Sequence, residues 1–194
     1  MEDLLNQVPV NSRPRKILCL GLGTLEGLTG RKGRTQLGLL VHLQNKFMIS
    51  STDVELFDPV FSDEEKAFLS SFGFTVRAEQ PSLNFDVPTL AYLPHAPRWL
   101  FEKILETNMA QSASNVVFLG NDMSHYYISE ISNDVKAVIP NIFKHAPAFS
   151  SLPLPHAPQA VGQDVFNDLS VQFIASEQCL SDTPSSTPQA SMPT

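Results

Sequence analysis

The sequence predicts a single three-layer α/β domain with a mostly parallel sheet, and three observations predict it. Short apolar runs of β type alternate with segments of helical spacing, the rhythm of parallel strands whose connecting helices cover both faces of a sheet. With 194 residues, 42% hydrophobic and 17% charged, the chain has the composition of a soluble globular protein and the length for one domain burying roughly two thirds of its unfolded surface. Finally, glycines, histidines and carboxylates gather just after the predicted strands, where open sheets of this class bind ligands.

Residues 1–14 are polar, end in Arg13-Pro14, and are expected to be disordered, so that the domain runs over residues 15–175. KILCLGL, from Lys16 to Leu22, is the first strand, and TQLGLLVHLQNKF, from Thr35 to Phe47, has the three-and-four apolar spacing of a helix face. DVELFD (Asp53 to Asp58) reads as the next strand. In SDEEKAFLSSFG, Ser62 and Glu65 form a capping box and Gly73 supplies the stop. A short FTVRA, the run PTLAYL, a helix opened by Pro97, the run NVVFLG, a short helix through HYYISEI and the apolar run VKAVIP continue the alternation. The stretch KHAPAFSSLPLPHAPQAVGQD has neither period and reads as a Pro-rich loop over about 144–164, after which VFNDLSVQFIA alternates as a strand. The Ser/Thr/Pro-rich end, 176–194, has too few large apolar groups to offset its ordering entropy and is expected to be disordered.

A formal net charge of −7 argues against bulk nucleic acid binding or an anionic lipid surface as the main partner, because phosphate neutralisation needs a surplus of Lys and Arg. No apolar run approaches the roughly 18 residues of a membrane helix, and the N-terminus lacks a basic region followed by an apolar core. Expectation is therefore no membrane, and a cytoplasmic or nuclear location. The two cysteines, Cys19 and Cys179, make neither a disulfide framework nor a metal cage, and no pair of His, Cys or carboxylate residues shows a recognised ligand spacing, so no metal site is expected. G-x-S-x-G, P-loop and H-E-x-x-H motifs are missing. The catalytic residues, if any, and the cofactor are thus left unnamed.

The strand exits supply the candidate ligand-binding residues. The first, GLGTLEGLTGRKGR, carries Gly21 and Gly23 ahead of Arg31, Lys32 and Arg34; it serves either as an anion site, where glycine lets backbone approach a phosphate, or as a loop whose glycines permit turns. At the second exit, Asp58 stands where nucleotide-binding folds place the carboxylate for ribose hydroxyls, or else accepts backbone N–H bonds in an Asp-Pro turn. At the fourth, Pro94 and Pro97 restrict the backbone around His95, holding an imidazole either as a general base or ligand-orienting group or as an ordinary hydrogen-bonding residue. At the fifth, FLGNDMSHYY offers Gly120 and Asn121 as ligand contacts, with Asn121 or Asp122 as the alternative helix cap.

Taken in order, KILCLGLGTLEG, QLGLLVHL, VELFDPVFSDEEKAFLSSFGFTV, TLAYLPHAP, VVFLGND and FNDLSVQF resemble the SRR domain, the family named for plant "sensitivity to red light reduced", over Lys16 to about Phe173. The resemblance implies a Rossmann-like α/β domain. It also implies a regulatory role, in light signalling and circadian timing in plants and in clock-gene expression and haem biosynthesis in animal relatives. Where members commonly have Met-Pro-His-Cys, this chain has Leu93-Pro94-His95-Ala96, and Ala96 can be neither thiolate nucleophile nor metal ligand. The usual glycine after the third strand is also missing from RAEQPSLNFDVP, which implies local remodelling. The resulting expectation is a regulatory protein acting through binding rather than turnover, its partner a protein or a small nucleotide-like ligand. The alternatives are an enzyme using a nucleotide-type cofactor such as S-adenosylmethionine at the sheet edge, and a haem or porphyrin binder through His95.

Overall fold

The computed structural model describes residues 5–128, 133–155 and 165–175. Its chain runs β1 (Lys16–Leu20), α1 (Arg31–Phe47), β2 (Val54–Phe57), α2 (Asp63–Ser71), β3 (Thr75–Val76), β4 (Thr89–Leu93), α3 (Arg98–Asn108), β5 (Val116–Asn121), α4 (Ser124–Ile128), α5 (Asn133–Val138), α6 (Pro140–His145), β6 (Phe149–Pro153) and β7 (Leu169–Ile174). The seven strands form one sheet in the order β3-β2-β1-β4-β5-β7-β6. Neighbouring pairs are parallel from β3 through β5, and only β7 runs against the others. The chain moves outward from β1 to β3, then restarts at β4 on the other side of β1, so the switch point lies between the exits of β1 and β4.

The central strands are buried on both faces, which is why they read as continuous apolar runs instead of alternating ones. Period two is nevertheless preserved in the packing. Ile17, Cys19, Leu90, Tyr92, Val117 and Leu119 join one core with Leu37, Leu40 and Leu43 of α1 and Leu69 of α2. Leu18, Leu20, Ala91, Leu93, Val116 and Phe118 join the other with Leu100, Phe101, Ile104 and Leu105 of α3 and Ile142 of α6. These two cores on either side of the sheet make the third layer of the expected architecture.

Several segments differ from the sequence expectation. Within the N-terminal stretch expected to be disordered, Leu5 and Val8 are buried in the α1-side core and residues 10–12 form a 3-10 turn; two apolar groups suffice to anchor a polar segment that has no period. Helix α1 begins at Arg31, four residues before the expected Thr35, and places Arg31, Lys32 and Arg34 in its first turn rather than in the loop. The expected Pro-rich loop instead holds the end of α6, a 3-10 turn over Ala146–Ala148 and the edge strand β6, where Pro153 is tolerated at the margin of a sheet; residues 156–164 of it, and the 176–194 tail, lie outside the described residues. VKAVIP falls in α5 and the turn into α6.

The β3-to-β4 crossover, where remodelling was expected, carries no helix. Leu83 and Phe85 take its place against the sheet, and the buried Asn108 at the end of α3 holds them. Its Oδ1 accepts from the Phe85 N–H at 2.8 Å, while Nδ2 donates to the Leu83 and Ile104 carbonyls at 2.7 and 2.8 Å. One amide thus satisfies loop backbone that no helix satisfies.

Candidate functional site

At the exit of β1 the backbone turns sharply, with Gly21 at φ 75° and Gly23 at φ 77°, conformations that a side chain would strain. The Gly23 N–H donates to Asp58 Oδ2 at 2.8 Å, and the Val60 N–H donates to Asp58 Oδ1 at 3.0 Å. Asp58 is only 7% exposed, and each of its oxygens holds a backbone loop. Beneath it lies Cys19, whose thiol is pushed far up by burial and secondarily by the Asp58 charge, leaving it protonated and unreactive.

The rest of the glycine-rich loop is fastened in the same way. Glu65 closes the expected capping box with Ser62, Oε2 accepting from the Ser62 N–H at 2.8 Å and the Glu65 N–H donating to Ser62 Oγ at 3.1 Å. It also accepts from the Thr24 hydroxyl at 2.7 Å and from the Leu25 N–H. Burial pushes the Glu65 carboxyl up, but hydrogen bonds from the Ser62 backbone, the Thr24 hydroxyl and the Leu25 and Glu26 backbone outweigh it and leave the group below its usual range. Arg34 donates to the Leu25 and Gly27 carbonyls. The loop therefore folds onto α2, and the Gly23 and Leu25 amides that could have met a phosphate have carboxylate partners.

His95, at the exit of β4, has a left-handed backbone, φ 55°, uncommon for a residue with a Cβ. Its Nε2–H donates to the Val165 carbonyl at 2.9 Å, which also accepts from Gln36 Nε2 at 3.4 Å. The imidazole thus ties the β4 exit to the segment leading into β7, bringing together the Pro-His and Phe-Asn-Asp stretches of the sequence. Ala96 is buried against Gly21: a Cβ added there would lie 3.8 Å from the Ala96 Cβ. Ala96 is thus a packing position in this chain.

At the β5 exit, Gly120 serves close packing; an added Cβ would lie 2.7 Å from Phe101 Cζ and 2.8 Å from the Leu93 carbonyl oxygen. Asn121 Nδ2 donates to the Ala96 carbonyl at 3.3 Å and approaches the Tyr126 hydroxyl at 3.4 Å. Because a carbonyl can only accept, this orientation fixes the amide. Asn121 Oδ1 is then buried with no hydrogen bond among the described residues. Asp122 accepts from the Ser124 N–H at 2.8 Å and from Ser151 Oγ at 2.7 Å. Burial pushes the Asp122 carboxyl up, but the hydrogen bonds from Ser151 and Ser124 and the nearby His125 outweigh it and leave the group below its usual range. Gln172, which no local sequence signal singles out, joins β7 to this exit by accepting from the Met123 N–H at 2.9 Å and donating to the Asn121 carbonyl at 3.0 Å.

Gly21, Gly23, Asp58, Ala96 and Asn121 therefore form a line of contacts across the β2, β1, β4 and β5 exits, whereas His95 reaches away to Val165 and Gly120 faces the α3-side core. Cavities of about 650, 250 and 600 Å³ are lined by other residues, at the opposite sheet edge, beside β6 and β7, and between α1 and α2. Among the described residues, no group of three His, Cys, Asp or Glu side chains could hold a metal ion, and no helix is long and apolar enough to cross a membrane.

These features define a three-layer α/β domain with a sheet edge braced by its own side chains. The chain belongs to the SRR1 domain family, which matches residues 1–173. It is 32% identical over 110 residues to an SRR1-like protein of Mus musculus, covering 55% of this chain and 43% of the mouse protein. Against Protein SENSITIVITY TO RED LIGHT REDUCED 1 of Arabidopsis thaliana it is 26% identical over 125 residues, 63% of this chain and 45% of the plant protein. An SRR1-like protein of Drosophila melanogaster is 28% identical over 181 residues, 91% of this chain and 62% of the fly protein. The matched region thus spans less than half of the mouse and plant relatives and less than two thirds of the fly one.

Proposed function

We propose that this chain is a regulatory protein that acts by binding a protein partner, not by turnover. The carrying observation is the use made of its polar groups: both Asp58 oxygens and His95 Nε2 hold the chain's own backbone. A catalyst would aim such groups into a cleft at the reacting atoms. Membership of the SRR1 family and the red-light name of the Arabidopsis relative support a regulatory role. In its finer form, resting on the family resemblance, what is regulated is light and circadian signalling or haem biosynthesis, in the cytoplasm or nucleus.

A second reading has one observation in its favour. Asn121 Oδ1, a buried acceptor near the switch point, calls for a donor, as a nucleotide-type ligand such as S-adenosylmethionine would supply. The haem alternative, if it used His95 Nε2, would compete with the bond already made to Val165. Native mass spectrometry of the gently purified chain tests these readings together. We expect the mass of the bare polypeptide; a defined companion lost on denaturation would overturn the partner-only reading and give the class of the ligand.

A further inference from the structure

On the outer side of α1 and α2 a groove of about 600 Å³ remains open, lined by Leu37, Gly38 and Val41 on one wall and Phe68 and Phe72 on the other. Phe68 and Phe72 are 50% and 42% exposed although they are neighbouring large aromatics, in edge contact at 5.2 Å, with Phe72 stacked on Phe74 at 5.5 Å. Phe74 is buried, so this short ladder is anchored in the core and ends in the groove.

Gly38 supplies an independent observation. Glycine is among the least favourable residues in a helix, and α1 contains two, Gly33 in its first turn and Gly38 in its interior. Gly33 has an internal reason, since a Cβ there would come within 2.4 Å of the Thr24 carbonyl oxygen. Gly38 has none: its backbone is helical, it is exposed, and nothing lies within 4 Å of where its Cβ would be. The bare stretch of helix opposite two exposed phenylalanines is what close approach by another element requires.

We propose that this groove is the docking site for an amphipathic helix of a protein partner, apolar on the face that enters and basic along its flanks; this rests on the reading that the chain acts by binding a protein. The charges lining the groove determine the flanks. Glu26 and Glu64 contribute two exposed carboxylates, and the buried, loop-holding Glu65 adds a third negative charge behind them, against the single lining cation Arg34, whose guanidinium donates to backbone carbonyls. Length determines the extent: the nine residues of α2 rise about 13 Å, matched by some two and a half turns of incoming helix.

The test uses two fluorescein-labelled 14-residue peptides of identical Leu and Lys content. In one the leucines lie on a single helical face, and in the other they are scattered. Fluorescence anisotropy on the full chain is expected to show the ordered peptide binding at least tenfold more tightly than the scattered one, and weakening with added salt. Gly38→Leu should reduce that affinity at least tenfold while melting no lower than the original chain, because its side chain enters open space. Phe72→Asp should reduce it similarly.

Equal affinity for both peptides, failure of both to bind, or full affinity retained by Gly38→Leu would overturn the proposal. Concentration-dependent self-association in sedimentation, abolished by Gly38→Leu, would make the occupant a second copy of this chain and overturn it as well. A failed titration beside a bare native mass would remove the groove alone, whereas a bound cofactor in the native spectrum would break the underlying reading whatever the peptides do.

Discussion

The carboxyl edge of the sheet and the groove between α1 and α2 differ in what each still has to offer. At the β1, β2 and β4 exits the carboxylates and imidazole that could engage a ligand hold Gly23, Leu25, Val60 and Val165 instead. In the groove, aromatic faces and a glycine stand open with no comparable internal use. Polar residues after a strand are thus an ambiguous sign of ligand chemistry, because the same residues are needed wherever a glycine-rich loop must be fixed. The contrast makes opposite demands on substitutions: those at the edge should cost stability, whereas those in the groove should alter binding.

The largest effect is expected from Asp58→Ala. It takes the acceptor from the half-buried Gly23 N–H and from the N–H of the exposed Val60, and since a lost hydrogen bond to a charged acceptor is worth about 1.5–3 kcal/mol, less where water can replace it, urea unfolding should show a loss of about 3 kcal/mol. Stability within 0.5 kcal/mol of the original would mean that the Asp58 contacts are dispensable and would return the residue to the pool of ligand candidates. Glu65→Gln should follow at about 2 kcal/mol near neutral pH, since it weakens three acceptor contacts. Its pH dependence sharpens the point. The Glu65 carboxyl lies below its ordinary 4.5 when folded, so its contribution is complete above that value and is lost as the pH falls through the folded one. The Gln variant should therefore show a shallower acid-side decline than the parent; parallel curves would contradict the role given to Glu65.

How much of this was legible depends on the range of each interaction. The strands β1, β2, β4, β5 and β7 and the capping box of α2 follow from runs of four to eight residues, so the sequence displayed them directly. Leu5 and Val8 form no period, and Phe149–Pro153 shows a polar, proline-ended pattern that only an edge position permits. Asp58, Gly23 and Asn121 were identifiable because they follow strands. That Asp58 faces Gly23, 35 residues away, depends on β1 and β2 being neighbours. Glu65 was legible as a cap but not as the acceptor for Thr24 and Leu25, and no local signal connects His95 with Val165 or Gln172 with Met123.

His95→Ala should have a smaller effect. It removes one hydrogen bond to Val165, worth about 1 kcal/mol, and leaves alanine in a left-handed conformation no better suited to it. The telling measurement is hydrogen exchange: amides of residues 165–168 should lose protection while those of α3 keep theirs. Loss of protection throughout the domain would make His95 a core support, and no change at 165–168 would sever the link between the two motifs.

The smallest effect concerns the two glycines of α1, and there even the sign is informative. Gly33→Ala should destabilise, because its Cβ would press on the Thr24 carbonyl at 2.4 Å and disturb the loop that Glu65 holds. Gly38→Ala should stabilise by about 0.5–1 kcal/mol, as alanine does at an exposed helix position that can take it without strain. Since both sites lie in one helix, propensity alone would give them the same sign, and only their surroundings can separate them. A gain at Gly38 means that the unmutated chain carries a removable instability at the one wall of the groove where a partner would come closest. A loss there would mean that some part of the molecule already packs on Gly38, and the contrast between a braced edge and an open groove would fail.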